Sequence, residues 1–91
     1  MLVIDLSKTS EKFLQKLLPK HRLQVAARIF MLAENPHASD TSQLRGYEKY
    51  RRADTGEYRI IYRLSTAILS VVLIGKGNDD EIYRKLGRLG R

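Results

Sequence analysis

The sequence predicts an α+β fold with its elements in the order βααβββα. Two segments before residue 35 carry apolar residues at helical spacing, and three later segments are rich in strand-forming residues and joined by short turns. A chain of 91 residues with 43% apolar content suits one small core, so we expect a single domain over residues 1–91. We expect an N-terminal helical hairpin packed on a small, mostly antiparallel sheet, and a short C-terminal helix.

A short strand and a first helix are predicted at the N-terminus. The strand has one apolar face, formed by the alternate residues Leu2, Ile4 and Leu6. Ser7, Thr9 and Ser10 each offer an N-cap for the helix that follows. The apolar stripe of this helix ends near Pro19 and consists of Phe13, Leu14, Leu17 and Leu18.

A second helix is predicted from Lys20 to Glu34, because Asn35 and Pro36 end the helical pattern. Its predicted core stripe consists of Leu23, Ala26, Ala27, Phe30 and Ala33. Almost nothing separates this helix from the first one, so the two should form an antiparallel hairpin.

The second half of the chain predicts a three-stranded meander. Residues 35–46 form a polar loop with Leu44 as its one apolar anchor. The predicted strands cover 47–53, 58–64 and 67–74, with turns at 54–57 and at 65–66. Residues 75–80 should form a loop, and Asp79 or Asp80 can cap a last helix. That helix would bury Ile82, Leu86 and Leu89.

Composition excludes several classes of site. The chain has no cysteine, which removes disulfides and thiolate chemistry and fits a reducing cytoplasm. Its two histidines, His21 and His37, are predicted to lie at the surface, so no metal or other cofactor is expected. The longest apolar stretch, residues 69–74, is far too short to cross a membrane, and the N-terminus lacks the basic start of a signal peptide.

Charge points to a polyanionic partner. The chain has 17 basic and 10 acidic residues, and of its net charge of +7, +5 lies after residue 44. Such an excess suits nucleic acid or an acidic protein segment. A charged surface that only keeps the protein soluble is the alternative.

Basic and aromatic residues alternate along the predicted hairpin: Lys49, Tyr50, Arg51, Arg52, Tyr58, Arg59, Tyr62 and Arg63. Residues two apart on a strand share a face, so Lys49 and Arg51 should project together. If Arg59 lies across from that row, three cations converge and can bind phosphate, with rings available for stacking on bases. The alternative is a solvated face stabilised by aromatic cross-strand pairs.

Three segments of the sequence resemble the RelE/ParE superfamily of bacterial toxins: Leu44–Gly46, Tyr50–Tyr62 and Ile74–Tyr83. The resemblance covers nearly the whole chain, and the superfamily shares the βααβββα order predicted above. It implies the toxin of a type II toxin–antitoxin system, bound by a cognate antitoxin in a hetero-oligomer. RelE-like members cut mRNA in the ribosomal A site without a metal, whereas ParE-like members inhibit DNA gyrase. The RelE-like activity is our first expectation, and gyrase inhibition is the alternative.

The resemblance also implies site residues. The catalytic arginine falls on Arg59, which would hold the scissile phosphate, and the catalytic tyrosine falls on Tyr83, which would stack on a base or accept a proton. A basic pair on the preceding strand falls on Lys49 and Arg51, within one residue, because the turn before the next strand is longer than in some members. Two further cations are expected to bind RNA: Arg52 and Lys76. Helix periodicity with Ile82 and Leu86 alone gives Tyr83 a plain packing role instead. We expect Arg63 and Arg84 to face solvent or the antitoxin.

Position 77 departs from the RelE-like pattern. Gly77 stands where RelE-like sequences usually carry an arginine of the active site. Loss of one such donor typically costs about 3 kcal/mol of transition-state stabilisation. Lys76 could substitute, the protein could be a weak nuclease, or glycine could be an attenuating change, selected or introduced to permit expression. We favour the last two explanations.

Overall fold

The computed structural model describes residues 1–77 and 81–88 and confirms the α+β fold. Its elements are β1 (Val3–Leu6), α1 (Lys8–Lys16), α2 (Pro19–Glu34), β2 (Ser42–Leu44), β3 (Tyr47–Thr55), β4 (Tyr58–Leu64), β5 (Ile68–Lys76) and α3 (Glu81–Arg88). The strand β2 lies inside the segment predicted as a loop. It is three residues long and exposes Ser42 and Gln43, so it has no alternation that could reveal it. None of the described helices is both long and apolar enough to cross a membrane.

The five strands form one sheet in the order β1-β5-β4-β3-β2. The pair β1 and β5 is parallel, and the other pairs are antiparallel. The N-terminal strand therefore lies beside the last strand, and the helical hairpin connects one edge of the sheet to the other. Gly46 and Gly56 form the two turns around β3 with positive φ angles of 81° and 58°, which glycine adopts without strain.

The sheet has two covered faces. The hairpin face carries α1 and α2 and a core of Leu14, Val25, Ile29, Leu32, Ala53, Tyr58, Ile60, Tyr62, Leu69, Val71 and Ile74. The α3 face carries a smaller core of Leu44, Tyr50, Ile61, Leu73, Ile82 and Leu86. The pairing of β4 with β5 shifts between Ile61 and Tyr62, which leaves Val72 as an extra residue in β5. This bulge sets which residues of β5 face each core.

The predicted orientation of α2 was wrong in part. Of the predicted stripe, Ala33 is buried, whereas Ala27 is exposed and Leu23 and Phe30 are 71% and 56% exposed. The buried face of α2 also contains Val25, Arg28, Ile29 and Leu32. Apolar residues occur on two sides of this helix, so periodicity alone does not select the face that packs on the sheet. Once α2 is in place, Arg28 Nη2 lies 2.8 Å from Asp40 Oδ1, and this contact lowers the pKa of Asp40.

Two strands of the meander, β3 and β5, end later than predicted, whereas β4 has the predicted bounds. β3 continues through Asp54 and Thr55, so the turn before β4 contains only Gly56 and Glu57. β5 likewise continues to Lys76. Ile82 and Leu86 of α3 are buried as predicted. The predicted caps Asp79 and Asp80 and the predicted core residue Leu89 lie outside the described residues.

Two serines attach the start of α1 to the sheet. Ser7 is the N-cap, and its hydroxyl accepts a hydrogen bond from the backbone N–H of Ser10 at 3.0 Å. The same hydroxyl donates to the carbonyl of Val72 at 2.8 Å, and the buried Ser10 hydroxyl donates to the carbonyl of Val71 at 3.2 Å. The beginning of α1 is therefore held on β5 beside the bulge.

The substitution Ser7→Ala should lower the free energy of unfolding by about 1–2 kcal/mol, because it removes the helix cap and the bond to β5 together. Denaturant unfolding measures this loss. Thr9→Ala is the matched control, since Thr9 is an exposed residue of the same helical turn, and we expect a change within about 0.5 kcal/mol. Equal losses in the two variants would contradict the anchoring role of Ser7.

Candidate active site

The structure brings two predicted site residues, Arg59 and Tyr83, into direct contact on the α3 face. Arg59 lies between core residues of β4 that face the helical hairpin, so alternation directs its side chain to the opposite face. Ile82 and Leu86 hold α3 on that face, and the half-buried Tyr83 packs beside them. Arg59 Nη1 donates a hydrogen bond to the Tyr83 hydroxyl, and its guanidinium carbon lies 5.8 Å from the centre of the ring. Tyr83 therefore both packs on the sheet and reaches Arg59.

Asp54 is a member of this site that the sequence did not predict. Arg59 Nε donates to Asp54 Oδ1 at 2.8 Å, and Arg59 Nη2 lies 3.4 Å from Oδ2. The hydrogen bond to Asp54, assisted by Tyr83, raises the pKa of Arg59 above its usual value. The two residues are directly opposite in the β3–β4 pairing, which required β3 to extend through Asp54. Opposite charges on either side of a two-residue turn were the signal that could have revealed the pair.

Arg52 is the cation of β3 that lies with Tyr83. Both side chains line a groove of about 250 Å³ next to β2, and Arg52 Nε donates to Ser42 Oγ at 3.0 Å. Arg52 and Asp54 are two residues apart on β3 and so share the α3 face. The predicted RNA-binding residue Arg52 is thus placed with Tyr83 and Arg59.

Lys49 and Arg51 do not join this group. Arg51 pairs with Tyr62, a residue of the hairpin-face core, and its Nε lies 3.4 Å from the Tyr62 hydroxyl. Its Nη2 donates to Thr41 Oγ1 at 2.8 Å. The convergence of Lys49 and Arg51 with Arg59 was therefore wrong, because Arg59 lies across from Asp54 on the other face. The catalytic roles expected for Lys49 and Arg51 stay predictions without geometric support.

Gly77 lies next to Arg59. Its N–H donates to the carbonyl of Glu57 at 2.8 Å, and an added Cβ would meet Arg59 Nε at 3.8 Å, an ordinary contact. Both residues line an open groove of about 330 Å³ that also contains Asp54. A longer side chain at position 77 therefore has room to extend beside the guanidinium.

Lys76, the neighbour of Gly77, occupies a register position on the hairpin face. It pairs with Tyr58 of β4, whose side chain belongs to the hairpin-face core, so Lys76 starts from that face too. This register does not favour the explanation in which Lys76 substitutes for an arginine at 77. Its expected contact with RNA stays a prediction.

The two histidines have different environments. His37 is exposed, as predicted. His21 is half-buried and packs edge-on against Tyr58, with 5.7 Å between the ring centres. The surface prediction for His21 was therefore wrong, because α2 turns this residue toward the edge of the core.

A comparison with protein families decides the identity of the chain. The family model described as the ParE toxin of the type II toxin–antitoxin system parDE matches residues 4–81, from β1 to the first residue of α3. The chain belongs to this family. As a RelE/ParE-family toxin of a toxin–antitoxin system, it carries Arg59 and Asp54 within the matched region.

Solved RelE structures share the fold of this toxin. The isolated RelE toxin of E. coli is 20% identical with a TM-score of 0.74, and the match covers 98% of both chains. In the RelBE complex of E. coli the identity is 20% and the TM-score 0.75, over 87% of this chain and 100% of that one. In the RelE–RelB complex of Pyrococcus horikoshii OT3 the identity is 22% and the TM-score 0.73, and the match covers 86% of this chain and 98% of that one. No curated protein sequence matches the chain significantly.

The substitution Asp54→Asn should tighten the binding of inorganic phosphate at Arg59 by up to about fivefold, because an exposed ion pair contributes about 0.2–1 kcal/mol. The Asp54 side chain is 55% exposed, so the carboxylate competes with phosphate in water. Titration of phosphate against the Arg59 Nε–H signal in an NMR spectrum measures the change. Asp5→Asn, an exposed site on β1, is the control for net charge. The same gain in both variants would show that Asp54 does not mask Arg59.

Proposed function

We propose that this toxin is a metal-independent mRNA endonuclease that cuts messages in the ribosomal A site. The observation that supports it is the contact of Arg59 with the Tyr83 hydroxyl at the margin of the α3 face, where Arg52 and Tyr83 also line a groove. Cleavage of RNA through its 2′-hydroxyl needs a proton acceptor, cations that oppose the charge of the phosphorane, and a proton donor for the 5′-oxygen. The Arg59 guanidinium offers a cation to oppose the charge of the phosphorane, and the Tyr83 hydroxyl offers one group for proton transfer.

Each residue has a separate role in this proposal. Arg59 binds the scissile phosphate when the exposed carboxylate of Asp54 gives way, since a phosphate offers the same two-point geometry to the guanidinium. Tyr83 stacks on a base or carries a proton from its position at Arg59 Nη1. Arg52 holds the strand in the groove beside β2. At position 77, glycine leaves the developing charge without a further cation, so the expected activity is weak.

We also propose that a cognate antitoxin binds and neutralises the toxin in a hetero-oligomer. The solved relatives from E. coli and P. horikoshii are toxin–antitoxin complexes. A partner that binds only the folded toxin would stabilise it by mass action, which suits a small core. Both candidate targets, the ribosome and gyrase, place this interaction in the cytoplasm.

Inhibition of DNA gyrase without catalysis is the second candidate. Two observations favour it: the Arg59 guanidinium is already hydrogen-bonded to Asp54, and residue 77 is a glycine rather than a basic residue. A toxin that only binds its target tolerates both features, because Arg59 then acts as a structural residue. The family model that matches the chain is also that of ParE toxins.

Induction of the toxin should produce codon-spaced cuts in translated messages, and Arg59→Ala should reduce them by at least about 100-fold, the usual cost of removing one transition-state donor. Mapping of message 5′ ends measures the cuts. Arg84→Ala removes the same charge from an exposed position of α3 and is the matched control. Intact messages together with loss of plasmid supercoiling would overturn the nuclease and support gyrase inhibition.

The substitution Gly77→Arg should increase message cleavage on the order of 100-fold, because it returns one cation to the side of Arg59. Gly77→Ala adds only the Cβ, for which there is room, and should leave cleavage unchanged. The rate of cutting in a cell-free translation reaction and growth arrest after induction measure the effect. Equal cleavage by the wild type and Gly77→Arg would show that position 77 is not an active-site position.

A further inference from the structure

A second basic groove lies at the other end of the β3–β4 hairpin. We call it the sheet-end groove: it has a volume of about 560 Å³ and is lined by His37, Gln43, Glu48, Lys49, Arg51 and Arg63, with Leu64. It is about twice as large as the groove between Arg52 and Tyr83. Lys49 and Arg51, which the sequence placed with Arg59, belong to this groove instead.

The positive charge of the sheet-end groove is only partly compensated. Lys49, Arg51 and Arg63 supply three permanent cations, and Glu48 is the single carboxylate in the lining. Among the described residues, none of these three cations takes part in an ion pair, and the pairs of Arg28 with Asp40 and of Arg59 with Asp54 lie elsewhere. At the Arg59 site, in contrast, Asp54 already opposes the charge. The net positive charge of the groove therefore favours an anion.

Arg51 is held in a fixed position inside this groove by neutral partners. Its Nη2 donates to Thr41 Oγ1, which itself donates to the carbonyl of Ala38 at 2.7 Å. Its Nε contacts the Tyr62 hydroxyl, which donates to the carbonyl of Pro36 at 2.7 Å. These partners carry no charge, so the guanidinium keeps its full charge and has N–H donors left for a ligand. A cation fixed in this way binds phosphate with little loss of side-chain entropy.

The lining favours a phosphate backbone over an acidic peptide. Leu64 is the one aliphatic side chain of the groove, whereas a segment that folds on binding needs apolar anchors to offset its ordering. Arginine forks match phosphate oxygens in geometry. Contacts of this kind bind nucleic acid without regard to sequence.

The groove lies at the opposite end of the β3–β4 hairpin from Arg59 and takes residues from both faces of the sheet: Arg63 from the face of Arg59, and Lys49 and Arg51 from the hairpin face. Arg63 and Arg59 are four residues apart on β4 and project from the same face, which separates them by roughly 13 Å. Arg63 lies directly across from Tyr50, and Lys49 is the next residue of β3. We propose that the sheet-end groove binds backbone phosphates of single-stranded RNA outside the cleavage site. The inference rests on the proposed function for the identity of the nucleic acid, but it does not depend on cleavage.

The test measures binding of a short RNA that cannot be cleaved because its 2′-hydroxyls are methylated. Fluorescence anisotropy with the full-length toxin at several salt concentrations compares the wild type with the double variant Lys49→Ala/Arg63→Ala. Both residues are exposed, so the fold is kept, and Arg51 is left in place. We expect the double variant to lose affinity on the order of tenfold. The slope of the logarithm of the binding constant against the logarithm of the salt concentration should become shallower by about 1.4, since each of the two lost phosphate contacts contributes about 0.7. The control Lys12→Ala/Lys16→Ala removes two exposed charges from α1.

Three outcomes would overturn the inference. The first is full RNA affinity in Lys49→Ala/Arg63→Ala, which we call the groove variant. The second is a loss of RNA affinity in the groove variant that is no larger than the loss in the control Lys12→Ala/Lys16→Ala. The third is stronger binding of a glutamate decapeptide than of RNA, lost in the groove variant, which would assign the groove to an acidic protein segment. Failure of the proposed function looks different: messages stay intact in cells while the groove variant still loses affinity for the methylated RNA.

Discussion

The register of the β3–β4 hairpin is the constraint on which the functional surfaces depend. Because side chains alternate between the two faces of a strand, the length of the turn decides which charges meet. The two-residue turn at Gly56 and Glu57 places Arg59 across from Asp54. It also leaves Arg52 on the face of Tyr83 and turns Arg51 toward Tyr62. A shift of one residue would exchange these neighbours and move every cation of β3 to the opposite face.

Most of the fold could be predicted from the sequence, because strand-forming residues and turn signals are local. The class, the helical hairpin, the meander and the final helix all follow from such patterns. The features that could not be predicted depend on tertiary contacts. Periodicity does not choose between the two apolar sides of α2, so Leu23 was expected inside and is exposed. The strand β2 exists only through its pairing with β3, and its own three residues carry no pattern.

The candidate site could be predicted in part, and only through family resemblance. Arg59 and Tyr83 are 24 residues apart, and their contact requires α3 to pack back on the sheet. Asp54 was assigned to a turn, which hid its pairing with Arg59. The protein therefore has two basic surfaces that differ in charge balance: the Arg59 site, where Asp54 pairs with the guanidinium, and the sheet-end groove. One is internally neutralised and suited to exchange of a carboxylate for a phosphate, whereas the sheet-end groove holds positive charge with no competing anion beyond Glu48.

The parallel pairing of β1 with β5 affects how the chain reaches this structure. Val3 pairs with Ile68, so the first strand acquires its hydrogen-bonding neighbour only after most of the chain has been synthesised. Contacts of such long sequence separation form late, since the entropy of closing the loop must be overcome first. The hydrogen bonds of Ser7 and Ser10 that hold α1 on the sheet likewise cannot form before Val71 and Val72 have been synthesised. In a nascent chain, β1 therefore has no partner strand, and the five-stranded sheet stays incomplete, until β5 has left the ribosomal exit tunnel.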